Sequence, residues 1–131
     1  MKFKYPKDYF LTLTMHPLTV MVLGYAAFTA EQMNVPFTVT STVSNLKEDQ
    51  RLGRVSSSHR TGRAFDLSIY GWTTDDIDNF KIELESKFGD YGAISKRDGS
   101  RRLVVVHNGT APHIHVQISA EYARYPVFPD L

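Results

Sequence analysis

The stretch Ser57–Asp66 reads Ser-Ser-His-Arg-Thr-Gly-Arg-Ala-Phe-Asp, and the later stretch His113–His115 reads His-Ile-His. The first places an imidazole at His59 and a carboxylate at Asp66, and from Ala64 onwards it has the pattern of a strand. The second places two imidazoles on alternate residues, so both project from the same face of a strand. If the two strands are neighbours, these side chains converge on one polar face of a small sheet.

These side chains suit a metal ion. Two imidazoles and one carboxylate are donors that Zn²⁺ prefers, and three protein ligands leave a fourth position open for water. An open position is typical of catalytic rather than structural zinc sites. A lone histidine is more often a surface or hydrogen-bonded core residue, and the same ligands accept other divalent ions. It is the combination of both stretches that predicts Zn²⁺ and a zinc hydrolase.

Composition limits the number of domains, the metal ligands and the partners that the chain is expected to have. With 131 residues, of which 42% are hydrophobic and 22% charged, the chain is expected to form one domain over residues 1–131. It has no cysteine, so any metal is held by nitrogen and oxygen. A net charge of +1 argues against a nucleic-acid partner. The start of the chain has no apolar signal region, and Leu18–Ala30 is too short to span a membrane, which predicts cytoplasmic synthesis without a signal peptide.

Periodicity predicts an α+β fold, in which two helices pack against a small, mostly antiparallel sheet that carries the zinc site. The helices are predicted over Pro17–Met33 and from a threonine cap at Thr73–Thr74 to Phe88. Between them, residues 44–63 are predicted to be a polar loop. The strands are predicted over Phe37–Val43, Ala64–Tyr70, Tyr91–Lys96, Arg102–Val106 and His113–Ile118, followed by an irregular tail over Tyr122–Leu131.

The two motifs also carry a family resemblance. Ser57, His59, Gly62, Ala64 and Asp66 match the pattern Ser-x-His-x-x-Gly-x-Ala-x-Asp, and His113–His115 matches His-x-His. In these residues the chain resembles the LAS-type zinc metallopeptidases, which include lysostaphin-type enzymes, D-Ala-D-Ala peptidases and hedgehog-like domains. Within that group it looks most like VanY-type D-Ala-D-Ala carboxypeptidases and phage endolysin domains. The resemblance spans residues 38–118 and implies a hedgehog/D-Ala-D-Ala peptidase-like fold.

The resemblance assigns roles to individual residues. It implies that His59, Asp66 and His115 bind Zn²⁺. It also implies that His113 is a catalytic residue beside the metal, which stabilises the transition state or moves a proton.

Three further residues, Ser57, Arg63 and Arg54, are candidates for substrate binding. The two arginines would hold a substrate carboxylate, with Arg51 as an alternative to Arg54. Solvated loop charges are the other explanation for these arginines.

The implied function is hydrolysis of a peptide bond in bacterial peptidoglycan, by a phage-type lysin or by a virion component with other virion proteins as partners. Which bond is cut, in the stem or in the cross-link, stays open. Pro112 stands where many D-Ala-D-Ala peptidases have an acidic general base, which leaves His113, and less favourably His107, for that role. A non-catalytic zinc- or wall-peptide-binding module of the same fold is therefore the alternative. Nucleic-acid binding through the basic residues 96–102 is disfavoured, because such a cluster is more typical of a solvated turn.

Overall fold

The computed structural model of the chain describes residues 1–109 and 111–122. Within these residues it contains four α-helices and seven strands. The helices are α1 (Pro6–Leu11), α2 (Pro17–Gln32), α3 (Leu46–Arg51) and α4 (Thr74–Phe88). The strands are β1 (Lys2–Phe3), β2 (Thr38–Ser41), β3 (Ala64–Ser68), β4 (Ala93–Ile94), β5 (Arg101–Arg102), β6 (Val104–His107) and β7 (His113–Gln117).

Five of these strands form one sheet in the order β1-β2-β3-β7-β6, while β4 and β5 form a separate hairpin. β1 runs parallel to β2, and the other neighbouring pairs in the sheet are antiparallel. The predicted α+β class with a mostly antiparallel sheet is therefore confirmed. The register places Asp66 opposite His115 and His107 opposite His113, so that the two central strands and one edge strand bring these side chains together.

Alternation along the strands separates a core face from a polar face. The side chains of Phe65, Leu67, Ile114 and Val116 are fully buried beneath α2 and α4, whose own buried residues complete the core. The residues between them in sequence point away from the helices and form the polar face described below. Each of the strands β3 and β7 thus contributes one face to the core and the other face to the site.

The two long helices begin where the sequence predicts. Pro17 occupies the first turn of α2, and the His16 ring accepts a hydrogen bond from the Leu18 N–H at 3.1 Å. Thr73 caps α4 in a reciprocal capping box with Asp76, which confirms the predicted threonine cap. Within residues 1–109 and 111–122, the structure has no helix of the length and apolarity that a membrane crossing requires.

Three predictions about the elements need correction. There are two short helices in addition to the predicted pair, and one of them, α3, lies inside the segment predicted to be a loop. Six residues make fewer than two helical turns, which is too few for an apolar period to be recognised.

The predicted strand Arg102–Val106 is divided between two sheets, because β5 pairs with β4 whereas β6 pairs with β7. The change occurs at buried Leu103, whose N–H donates to the Glu85 carboxylate on α4 at 2.8 Å. Most of the predicted tail, residues 123–131, lies outside the described residues.

The motif glycine Gly62 is expected to be intolerant of a side chain. Its φ is 69°, and a Cβ there would lie 3.1 Å from the Met15 Cα and the Thr14 carbonyl oxygen. We expect Gly62→Ala to lower the free energy of unfolding by roughly 2–5 kcal/mol, from backbone strain and crowding together. Gly53→Ala is the matched control, because Gly53 has a φ of 70° with open space around it, and should lose only about 1–2 kcal/mol. Denaturant unfolding measures both, and equal losses would show that the close approach has no energetic weight.

Candidate metal centre

Three side chains from separate parts of the sequence converge on the polar face of the sheet. Asp66 on β3 lies directly opposite His115 on β7, and His59 comes from the loop that enters β3. The Asp66 Oδ1 atom lies 3.2 Å from His59 Nε2 and 2.8 Å from His115 Nδ1. One ligand atom from each residue lies within 4.8 Å of the others, so the three residues form a group that could hold a metal ion.

The hydrogen bonds on the far side of each ring leave a bare nitrogen facing Asp66. His59 Nδ1 lies 2.6 Å from the Thr42 carbonyl oxygen, which can only accept, so the ring proton belongs on Nδ1. His115 Nε2 lies 3.1 Å from Gln117 Oε1, and the Gln117 amide nitrogen donates to the Arg102 carbonyl at 3.2 Å, which fixes that amide's orientation. Two imidazole lone pairs and a carboxylate therefore face one another. A set of acceptors that face one another is completed by a cation between them, either a proton or a metal ion, and two imidazoles with a carboxylate fit a metal ion.

The Asp66 carboxylate is kept ionised. When a proton rather than a metal ion lies between the rings and the carboxylate, burial raises the pKa of Asp66, but hydrogen bonds from His115 and His59 and the charges of those rings lower it by more, to well below its ordinary value. Arg54 adds a cation 3.3 Å from Asp66 Oδ2. An ionised carboxylate is the form that binds a metal ion.

Gln117 is expected to set the metal affinity through His115. Gln117→Ala removes the acceptor that holds the His115 proton on Nε2, so the ring is free to turn or to change tautomer. We expect metal affinity to fall about 10–100-fold, as is usual when a ligating histidine loses its second partner. Competition titration with a chromogenic chelator measures the change, and Gln32→Ala, at the exposed end of α2, is the control. Unchanged affinity would mean that other contacts orient His115.

Two further histidines line the same face beside the metal-binding group. His113 Nδ1 lies 2.9 Å from the Ala111 carbonyl oxygen, which places the ring proton there and leaves Nε2 free, 3.9 Å from Asp66 Oδ2. His107 stacks against it with ring centroids 4.8 Å apart. Partial burial, followed by the charges of His113 and His115, lowers the pKa of His107 and favours its neutral form. Pro112, at the position where an acidic base was expected, lines the cleft next to them.

Arg54 is the one predicted substrate-binding residue that lies at the group. Its guanidinium donates to Ser41 at 2.9 Å and pairs with Asp66 and with buried Asp49. Asp49 also pairs with Arg60 and accepts a hydrogen bond from Ser44, which ties α3 to the loop that carries His59. Asp49 was not singled out in the sequence, because a carboxylate in a polar segment carries no signal that it is buried.

The structure does not bring Ser57 and Arg63 to the metal-binding group. The Arg63 guanidinium donates to the Ile118 carbonyl at 2.8 Å, to Thr61 at 2.8 Å and to the Ser57 hydroxyl at 3.4 Å. Both side chains therefore brace the loop against the end of β7, and neither lines the cleft. These hydrogen bonds within the protein account for a serine and an arginine at these positions, and no bound ligand is needed to explain them.

Comparison with known proteins gives a negative result. No family model, no curated protein and no solved structure matches this chain. The case for a metal centre therefore comes from the distances, burial and hydrogen bonds of the described residues themselves.

The metal-binding group lies in a cleft of about 1230 Å³ on the polar face of the sheet. Side chains from β2, β3, β7 and β6 form its floor, so the cleft runs across the strands. The segment before α1 and the loop after α3 line the cleft at the β1 side, and Asn108, Gly109, Ala111 and Pro112, between β6 and β7, line the other side. This shape leaves the group accessible to an extended ligand.

Two residues that complete the group were missed in the sequence, for different reasons. Gln117 stands two residues after His115 on the same strand face, so strict alternation would have indicated it. Thr42 contributes a backbone carbonyl, which no residue type signals.

Proposed function

We propose that this chain is a zinc-dependent peptidoglycan peptidase that hydrolyses a peptide bond in stem or cross-link peptides of the bacterial cell wall. One observation carries the proposal: His59 Nε2 and His115 Nδ1 lie 3.2 and 2.8 Å from Asp66 Oδ1 in an open cleft, while the other nitrogen of each ring faces an acceptor oxygen. The match of both sequence motifs to LAS-type metallopeptidases supplies the substrate class. In this proposal the protein is a phage-type lysin, which acts after release or as part of a virion.

Zinc is the metal that best suits these donors. The ligands are two neutral imidazoles and one carboxylate, and the chain has no thiolate to complete a closed structural site. When bound, Zn²⁺ supplies Lewis acidity and lowers the pKa of a water molecule to about 7. The second hydrogen bonds to Thr42 and Gln117 hold the two rings in the required tautomers.

His113 is the proposed general base and acid. Its Nδ1 proton is held by the Ala111 carbonyl, so Nε2 is free to accept a proton from the attacking water and to pass it to the leaving amine. The ring lies beside the group without belonging to it, which is the placement this role requires. His107 packs against His113 and limits the orientations of its ring. Arg54, fixed by Ser41 and Asp49, is the proposed contact for a substrate carboxylate.

The second candidate function is a non-catalytic module that binds zinc or a wall peptide. Pro112 favours it, because the chain lacks the carboxylate that many related peptidases use as a base.

One experiment separates the two candidates. Purified peptidoglycan is incubated with the zinc-loaded protein, with the same protein after chelation and with His113→Ala, and the soluble products are analysed by mass spectrometry. Defined peptide fragments that require both zinc and His113 support the peptidase and identify the bond. Intact sacculi from several wall types, treated with protein that contains one zinc per chain, would contradict it and favour the binding module.

A further inference from the structure

The cleft extends well beyond the metal-binding group, towards the edge of the sheet formed by β1. Lys4 follows β1 directly, and its backbone N–H donates to the Val39 carbonyl on β2 at 2.8 Å. The Lys4 side chain lines the cleft, as does Arg51 at the end of α3. The β1 end of the cleft is therefore fixed by backbone contacts rather than formed by a loose terminus.

This end of the cleft carries positive charge that its surroundings do not neutralise. Of the two acidic residues there, Asp8 is buried and accepts hydrogen bonds from the Thr42 N–H and hydroxyl at 2.9 and 2.6 Å. The other, Glu48, pairs with Lys7 at 3.1 Å. Lys4 and Arg51 have no salt-bridge partner among residues 1–109 and 111–122, and both are exposed to solvent. We call Lys4 and Arg51 the basic pair.

The strand order gives the distance between the Lys4 backbone and the metal-binding group, and the Lys7–Glu48 ion pair joins α1, next to Lys4, to α3, which ends at Arg51. β1 lies two strands from β3, which carries Asp66, and neighbouring strands are about 4.8 Å apart, so the separation is about 10 Å. An extended peptide advances about 3.3 Å per residue. A ligand that lies along the cleft therefore presents to Lys4 a group about three residues away from the bond at the metal-binding group.

We propose that Lys4 and Arg51 form a carboxylate-binding subsite, which selects peptides with a free carboxylate about three residues from the cleaved bond. This inference rests on the proposed peptidase function for the choice of a peptide as ligand. Two cations match a single carboxylate, whereas a polyanion such as a nucleic acid would need more unpaired basic residues than this pair provides. Side-chain ammonium and guanidinium groups are the usual partners of such a carboxylate.

The test uses two fluorescein-labelled peptides of sequence L-Ala-γ-D-Glu-L-Lys-D-Ala-D-Ala. They differ only at the D-Glu α-carboxyl group, which is free in one and a carboxamide in the other. Fluorescence anisotropy with the zinc-loaded protein gives both affinities, and mass spectrometry of the same samples shows whether the peptides are intact or cleaved. The variant is Lys4→Ala/Arg51→Ala. Its matched control is Lys96→Ala/Arg97→Ala, which removes one lysine and one arginine from the turn between β4 and β5, away from the cleft.

We expect the free carboxylate to improve affinity roughly three- to tenfold in the wild type and in the Lys96→Ala/Arg97→Ala control. The improvement should disappear in Lys4→Ala/Arg51→Ala and should shrink as salt is raised. Equal affinity for the two peptides, or a preference that survives in Lys4→Ala/Arg51→Ala, would overturn the subsite. A preference lost in both double variants would also overturn it, since net charge alone would then explain the effect. Carboxylate-dependent binding of a peptide that stays intact would contradict the peptidase but leave the subsite in place.

Discussion

Asp66→Ala is expected to abolish metal binding. The Asp66 carboxylate is the one anionic member of the group, and it lies 3.2 and 2.8 Å from the two imidazole nitrogens. Its removal leaves only the two imidazole rings and takes away the negative charge that favours a divalent cation. Removing a residue that hydrogen-bonds to a metal ligand usually weakens metal binding about 10–100-fold. Removing the ligand Asp66 itself should therefore weaken it by more than about 100-fold. Metal analysis after dialysis, and competition with a chelator, measure the change.

The matched control is Asp78→Ala, which removes an exposed carboxylate from α4. It should retain the wild-type metal content and affinity. Circular dichroism establishes that both variants are folded. The other two ligands give a parallel test, because His59→Ala and His115→Ala should lose metal binding as Asp66→Ala does. A full complement of metal in Asp66→Ala would show that the cation is held elsewhere.

His113→Ala is expected to separate metal binding from turnover. The ring is beside the group but outside its set of ligand atoms, so the variant should keep the metal of the wild type. Loss of the proposed base and acid should reduce the rate of peptide hydrolysis about 10²–10⁴-fold. The measurement pairs metal content with the initial rate on the wall peptide that the digestion experiment identifies.

His16→Ala serves as the control for His113→Ala, because it removes the same kind of ring from the start of α2, away from the cleft. It should lower stability by about 1 kcal/mol through the lost cap and leave turnover unchanged. If His113→Ala keeps full activity, its proposed role is wrong. If His113→Ala loses the metal as well, His113 acts as a ligand.

Local patterns predicted much of the fold and the core of the site. Alternation in His113–Gln117 separates side chains that face the cleft from Ile114 and Val116 in the core, and the structure follows that division. The cap at Thr73 and the helix that follows it were likewise predicted, because caps and helical periods involve residues close in sequence. The motif residues His59 and Asp66 could be proposed as partners from their spacing and chemistry.

Features that depend on contacts distant in sequence could not be predicted. Local patterns do not show that β3 pairs with β7 across 49 positions, as the Asp66–His115 contact requires, and only the shared ligand set implied by the two motifs pointed to it. Local patterns likewise do not show that Asp8 is buried against Thr42 from 34 positions away and so supports the carbonyl that receives the His59 proton. Ser57 and Arg63 illustrate the opposite case. Ser57 is a motif residue and Arg63 lies between two of them, yet in the structure both hold the loop and neither lines the cleft.

The direction of the cleft has a consequence for stereochemistry. A peptide that joins a sheet as an additional strand must repeat its N–H and C=O groups at the period of the sheet, which requires L residues joined through α-carboxyl groups. This cleft crosses the strands on the face of the sheet, so a bound chain meets side chains and does not extend the backbone ladder. Inverted stereocentres and side-chain amide linkages therefore disturb no regular pairing. The protein can therefore distinguish D from L residues only where one of its side chains contacts the ligand.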